Sequence, residues 1–530
     1  MTTQLDKLRT QLAAGMIDRR QFMKQAAAVG AIGAIGAPIA SRVARAATPS
    51  VGGDIRLGLG SGSTSDSMDP AGITDTFMQV VNYGLRNNLT EVAPSGELIP
   101  ELAESYEASP DAKVWTFKLR QGIEFHNGKT MTADDVIASI NHHRGEQSDS
   151  GAKGILKPIT AIRKGGDDTV VFELDEGNAD FPYLMSDYHL TIMPLGSDGL
   201  DVESGVGTGG YILTEFEPGV RCKMKRNPNY WKEGAGFFET AEVLSIKDST
   251  SRTNALTTGE IHVMNRVDPK VVNLVSRRRG IGIVETSGNQ HYTMPMHTDK
   301  APFNDNHVRM ALKLSIDRQE VLDKVLSGHG YLGNDHPIGK ANRFYAADLP
   351  QRSYDPEKAK WHLKQADMEN LSVDLSTSDA AFVGATDAAV LFKEQAQQAG
   401  INVNVQREPS DGYWSEVWLK EPFCMSYWGG RPTEDWMFQV AYAAGASWNA
   451  SNWKHERFNK LLQEARAELD TEKRGAMYRE MQEILRDQGG VTIPMFANYI
   501  MGLSEDVQHG EMAANWDLDG LKCLERWWMA

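Results

Sequence analysis

The stretch 371–405 constrains the fold more than any other part of the chain. Leu371-Ser-Val-Asp-Leu375 alternates apolar and polar residues, as a half-buried strand does. A helix follows to about Ala399, Gly400 stops it, and Ile401, Val403 and Val405 alternate as a second strand. Hairpins join antiparallel neighbours, whereas a strand–helix–strand crossover sets its two strands parallel. The unit therefore predicts an α/β core.

The same signals recur along the chain. Trp115, Phe117 and Leu119 mark one strand, and Val170, Phe172 and Leu174 another. Thr132 with Asp135 three residues on predicts a helix start ahead of Val136, Ile137 and Ile140. Asp317 with Glu320 does the same ahead of Val321, Leu322, Val325 and Leu326, with Gly328 to end the run. Asp355-Pro356 opens a further helix with proline in its first turn, where the missing N–H costs nothing. Phe458, Leu461, Leu462, Ala465 and Leu469, then Met477, Tyr478, Met481, Ile484 and Leu485, read as core-facing helical stripes. No internal repeat or low-complexity linker divides the chain.

The N-terminus carries an address. Asp18-Arg-Arg-Gln-Phe-Met-Lys24 precedes an Ala- and Gly-rich run, Ala26 to Ala40, followed by Ala44-Arg-Ala46. This is the pattern of a twin-arginine export signal with an A-x-A cleavage site, and the run is shorter than the roughly 20 apolar residues a spanning helix needs. Residues 1–46 are expected to be removed, placing the mature start near Ala47. The twin-arginine translocase is then a partner during export, and the protein works in the periplasm. Resemblance to other substrates of this pathway implies that it crosses the membrane already folded.

The full chain carries a formal charge of −16, and removing the seven basic and two acidic residues of 1–46 leaves about −21. Such an acidic surface argues against a nucleic-acid binder. Cys222, Cys424 and Cys523 are widely spaced and odd in number, so they form neither a metal spacing nor a disulfide framework. Small buried side chains are expected, and no cysteine stands at the cleavage point to take a lipid.

Catalytic motifs are absent: no G-x-S-x-G elbow, H-E-x-x-H pair, phosphate loop or dinucleotide fingerprint occurs. His142-His143 is the most metal-like pair, but neighbours on a helix point in different directions. Gly207-Thr-Gly-Gly-Tyr211 reads as a turn whose backbone approaches something closely, a ligand among the candidates. The residues thus nominate no catalytic group, no metal site and no cofactor, and point away from an enzyme.

What the chain offers instead is a run of rings. Trp414, Trp418, Tyr427, Trp428, Trp436, Tyr442, Trp448 and Trp453 crowd one segment. Large flat side chains with little rotamer freedom suit a pocket for a small organic solute, though a ring-rich core would use them equally well. Trp428 stands out because the flexible, charged turn Gly429-Gly-Arg-Pro432 directly follows it.

Several motifs then fall in the order of one family. Met68-Asp-Pro70, Phe125-His-Asn-Gly-Lys-Thr-Met-Thr-Ala-Asp-Asp-Val136, Gly207-Thr-Gly-Gly-Tyr211 and Asn227-Pro-Asn-Tyr-Trp231 each resemble one of its elements. So do Pro302-Phe303 through Val308-Arg309 and Ile316-Asp-Arg318, and Asp355-Pro-Glu-Lys-Ala359. The chain resembles the family 5 extracellular solute-binding proteins, the peptide and nickel binders of ABC importers. The resemblance implies a two-lobed periplasmic-binding-protein fold of the large type II class, closing on a hinge over a solute that is handed to an inner-membrane ABC permease. It implies a first lobe of 47–290 plus 495–530, with a subdomain at about 91–205, and a second lobe of 291–494. Hinge strands would lie near Gln290–His297 and Thr492–Ala497.

The resemblance also nominates a site: Tyr427, Trp428, Gly430, Arg431 and Asp379. Peptide binders of the family place an aspartate for the peptide ammonium where this chain has Arg431, and dipeptide binders an arginine where it has Asp379. A cation facing a cation is costly once desolvated, so the usual peptide pose is disfavoured. Four readings stay open: an anionic group at Arg431, a reversed zwitterion between Arg431 and Asp379, a latch between these two side chains, or an Arg431 that points to solvent. The implied function is capture of a peptide or peptide-like solute. A nickel-chelate or other anionic solute is the alternative, and a secreted hydrolase a distant third.

Overall fold

The computed structural model describes residues 49–409 and 413–530. The twin-arginine motif and its cleavage site lie outside the described residues. A nine-stranded mixed sheet runs through the middle of the molecule. Its order is Tyr211–Glu217, Arg221–Arg226, Thr240–Ser245, Asp54–Leu59, Val263–Met264, Val491–Ser504, Ile281–Pro295 and Ser426–Trp428, with Gly330–Leu332 also pairing on Val491–Ser504.

Ile281–Pro295 and Val491–Ser504 are the longest strands, of 15 and 14 residues, and pair antiparallel from Ile281↔Ser504 to Pro295↔Val491. The two expected hinge segments are thus neighbours in one ladder, with His291 opposite Phe496 and Tyr292 opposite Met495. Pro494 has no N–H to donate, and it falls at a register shift between Tyr292 and Met294. A second shift, between Ser287 and His291, frees Gly288, Asn289 and Gln290 from the ladder.

Hydrophobic cores attach to opposite ends of this long pair. At one end Ile281, Ile500, Met501 and Leu503 join cores that contain Ile55–Leu85 residues, Leu256 and Val263, and the C-terminal Leu518–Trp527. At the other end Tyr292, Met294, Ile493, Met495 and Phe496 join cores drawn from residues 296–491. Residues 89–192 form a core of their own around Phe117, Phe172 and Phe181. Its floor is an antiparallel sheet in the order Ala103–Ala108, Val114–Leu119, Thr169–Leu174, Ile159–Gly166. Trp115, Phe117 and Leu119 all point inward there, as their alternation predicts.

Local signals translate directly. Ser372–Thr377 and Asn402–Arg407 pair in parallel across the helix Ala385–Gln397, and Gly400 takes a positive φ of 78°. Thr132 and Asp135 form a reciprocal capping box at the helix Ala133–His142. Asp317 caps Arg318–Val325 through the Glu320 N–H, and Asp355 caps Pro356–Gln365 through that of Lys358. The close approach at Gly207-Thr-Gly-Gly-Tyr211 is to the chain itself. A Cβ on Gly207 would lie 2.2 Å from the Leu85 carbonyl oxygen, and one on Gly209 2.4 Å from the Leu85 carbonyl carbon. The turn therefore docks against the end of the helix Thr76–Leu85, not a ligand. All three cysteines are free and buried.

Candidate functional site

The edge strand Ser426–Trp428 pairs with His291–Thr293, so the site begins on the hinge ladder itself. Successive strand residues face opposite ways. Trp428 is buried, while Tyr427 keeps 42 % of its surface exposed. The chain then leaves through Gly430, whose φ is 82° and whose missing Cβ would fall 2.4 Å from Asn289 Cβ. Only glycine fits this contact between the turn and the bulged hinge strand. Asn342 Nδ2 donates to the Arg431 carbonyl at 3.1 Å and Asn289 Nδ2 donates to it at 3.4 Å. Thr433 then caps the helix Glu434–Ala441.

These constraints fix the backbone of Arg431 and aim its guanidinium between two rings. Its Cζ lies 5.4 Å from the Trp428 ring centroid and 5.7 Å from that of Trp436. Nη1 donates to the Gly430 carbonyl at 2.6 Å, and Nε is sealed from solvent with no acceptor. Burial lowers the Arg431 pKa, opposed by the nearby Tyr188 and Asp187. Among the described residues no carboxylate lies within ion-pair distance of it.

Asp379 stands apart from this arrangement. It follows the strand Ser372–Thr377 on an exposed turn and makes no ion pair with Arg431. Neither the latch nor a wholly solvated Arg431 describes the geometry. Nearby, Phe382 stacks on Tyr292 at 3.8 Å.

The ring-rich segment divides. Tyr442 and Trp453 belong to the core. Trp414, Tyr427 and Trp448 are exposed and form a chain of ring contacts through Trp418 and Trp428, with centroid separations of 5.6 to 6.5 Å. A cavity of about 650 Å³ is lined not by these rings but by Val92, Leu98, Tyr106, Trp115 and Tyr183 together with Lys340, Asn342, Arg343 and Pro432, the residue after Arg431. A space of this size suits a small organic solute. Sequence reasoning missed Lys340, Asn342 and Arg343, because nothing local marks them; folding alone carries them to Arg431. It also missed the buried ion pair Asp180–Arg474, at 2.8 Å, which ties the 89–192 unit to the helix Thr471–Gln488.

Two metal-like groups resolve otherwise. His142 bonds Asp69 at 2.8 Å while His143 bonds Ser150 at 2.7 Å, so the adjacent rings serve separate partners. Glu91, Glu101 and Glu525 converge, but Lys232, Lys522 and Arg526 already occupy the space between them. With Asp519, which pairs with Arg526 at 3.0 Å, they form a buried ionic network fastening the C-terminus.

Two long paired strands joining separate cores, with a cavity between the 89–192 unit and the segment 340–343, are the architecture of a two-lobed binding protein. Residues 97–450 match the family model described as bacterial extracellular solute-binding proteins, family 5 middle, and the chain belongs to that family. It is 27 % identical over 434 residues to a dipeptide-binding protein of Escherichia coli K12, covering 75 % of this chain and 80 % of that one. The structure of HbpA2 from Haemophilus parasuis superposes with a TM-score of 0.77 at 22 % identity, covering 88 % of this chain and 99 % of that one. DppA from Helicobacter pylori, solved with the peptide STSA, gives 0.72 at 23 % identity, covering 91 % and 98 %. The fold is therefore the two-lobed periplasmic-binding-protein fold, and these relatives are binding proteins rather than enzymes. Among the described residues no helix is long and apolar enough to cross a membrane.

Proposed function

We propose that the protein captures a peptide or peptide-like solute between its lobes and delivers it to an ABC permease, without altering it. The observation that carries the reading is the cavity between the 89–192 unit and Lys340, Asn342, Arg343 and Pro432, next in chain to Arg431, in a chain akin to proteins named for dipeptides and peptides. The lobes are 47–290 with 495–530, and 291–494. Tyr427, Trp428, Gly430 and Arg431 face the solute from the second lobe, which also carries the exposed Asp379. A solute that touches both lobes only when they are shut stabilises the shut state by that difference in affinity. Export through the twin-arginine translocase, with cleavage near Ala46, delivers the folded protein to the periplasm.

The test is thermal unfolding of the mature protein in the presence of defined di- and tripeptides. Binding to the native state alone raises Tm, by about 2.7 kcal/mol of stabilisation at a hundredfold excess over Kd. A panel of peptides that leaves Tm unmoved, or that is recovered as hydrolysed fragments, contradicts the reading.

A further inference from the structure

Arg431 is a cation held in place with no carboxylate in ion-pair distance among the described residues. Its backbone is secured by Asn342 and Asn289, so the guanidinium is not needed to position the turn. Its one hydrogen bond is to the carbonyl of the residue before it. Nε has neither solvent nor acceptor, and Nη2 donates to no atom of the described residues. These two nitrogens form one edge of the guanidinium, the edge that accepts a carboxylate through two parallel hydrogen bonds. The acid that acts on it electrostatically, Asp187, has one carboxylate oxygen engaged by the ring and backbone N–H of His189, at 2.6 and 2.9 Å. A buried donor without a partner costs about 1–3 kcal/mol, so an orphan in this place needs a role.

The surroundings have the same sign. Lys340 rests its ammonium over the Tyr331 ring at 4.5 Å, and Arg343 donates to Thr471 Oγ1 at 3.0 Å. Neither has a carboxylate within ion-pair distance among the described residues, and Glu97 is the one acid in the lining of the cavity they border. The chain holds 71 acidic residues against 55 basic. Lys340 and Arg343 line the cavity and Arg431 is next in chain to its lining residue Pro432, so three cations without carboxylate partners among the described residues stand in one neighbourhood and attract an anion.

Resting on the reading of the cleft as the solute site, we infer that the solute presents a carboxylate to the Nε–Nη2 edge of Arg431. Its anionic end then lies against the hinge strands, with Lys340 and Arg343 drawing it in. A free ammonium is excluded from that end.

Calorimetric titration of the mature protein with trialanine, N-acetyl-trialanine, trialanine amide and adipate tests this. Trialanine and its N-acetyl form should bind alike, and the amide at least about tenfold more weakly. Arg431→Gln should reduce both acids to the level of the amide, and Arg431→Lys, which keeps the charge but not the fork, should fall between. Should the Gln variant fail to fold, the Lys variant carries the comparison of acid with amide. An amide that binds as well as the acid, N-acetylation that abolishes binding, or a difference that survives in the variants overturns the inference; so does an absence of binding by every acid. Adipate binding that is lost in Arg431→Gln, with no peptide bound, would keep the carboxylate and remove the peptide reading.

Discussion

Lys522 illustrates how single residues hold this molecule together. Its buried ammonium lies 2.5 Å from Glu101, 3.5 Å from Glu91 and 3.6 Å from Glu525. Burial alone would lower its pKa, but the three carboxylates win and the group stays charged. Removing it leaves buried carboxylates short of a counter-charge, a loss of about 3–5 kcal/mol. Lys522→Met should therefore unfold at markedly lower denaturant concentration, and an unchanged midpoint would contradict the account. No sequence pattern points to this network, since Lys522 and Glu101 are 421 residues apart. Arg431 was legible, because Trp428-Gly-Gly-Arg is contiguous and its charge departs from the family. What sequence could not supply was the state of its side chain, which depends on Asn289, Asn342, Trp436 and Asp187.

At the scale of elements, the helix Glu434–Ala441 carries the turn of Arg431 into the core, and burial sets its electrostatics. Glu434 accepts a hydrogen bond from the Phe344 N–H, yet desolvation raises its pKa from 4.5 to about 7. The native state therefore holds a proton that the unfolded chain has released across that window. Stability from this group is fully present below about pH 4.5 and is lost as pH rises toward 7. Glu434→Gln mimics the protonated form and keeps the acceptor. It should be more stable than the parent at pH 8, on the order of 2 kcal/mol, and nearly equal at pH 4.5. Equal stability at both pH values would show that the carboxyl is not held neutral. Elements were the most legible level: Thr132, Asp317, Asp355 and the 371–405 crossover act through neighbours in sequence. Gly207-Thr-Gly-Gly-Tyr211 was legible as a close approach but not as one to Leu85, because the partner lies over a hundred residues away.

For the whole molecule, the decisive feature is that two long strands join cores lying at their opposite ends. Sequence gave the two proline-bearing segments, and the ladder explains them: Pro494 sits where the register shifts, and residues 288–290 bulge out beside Gly430. Contacts also cross elsewhere, among them Trp436 packed on the 89–192 core and Arg466 at 3.8 Å from Glu176. The Asp180–Arg474 pair is another, joined by the Ala179 N–H donating to the Arg466 carbonyl at 2.7 Å. Such an arrangement bends at a few bonds while each core moves as a body. The approach of residues 340–343 to the 89–192 unit was not legible, since it depends on how distant segments fold together rather than on any local pattern.

Small-angle scattering of the mature protein, alone and with trialanine at saturation established by calorimetry, tests the closing shell most directly. The account predicts a smaller radius of gyration with peptide bound and intact trialanine recovered afterwards. Superimposable profiles at verified saturation would contradict it.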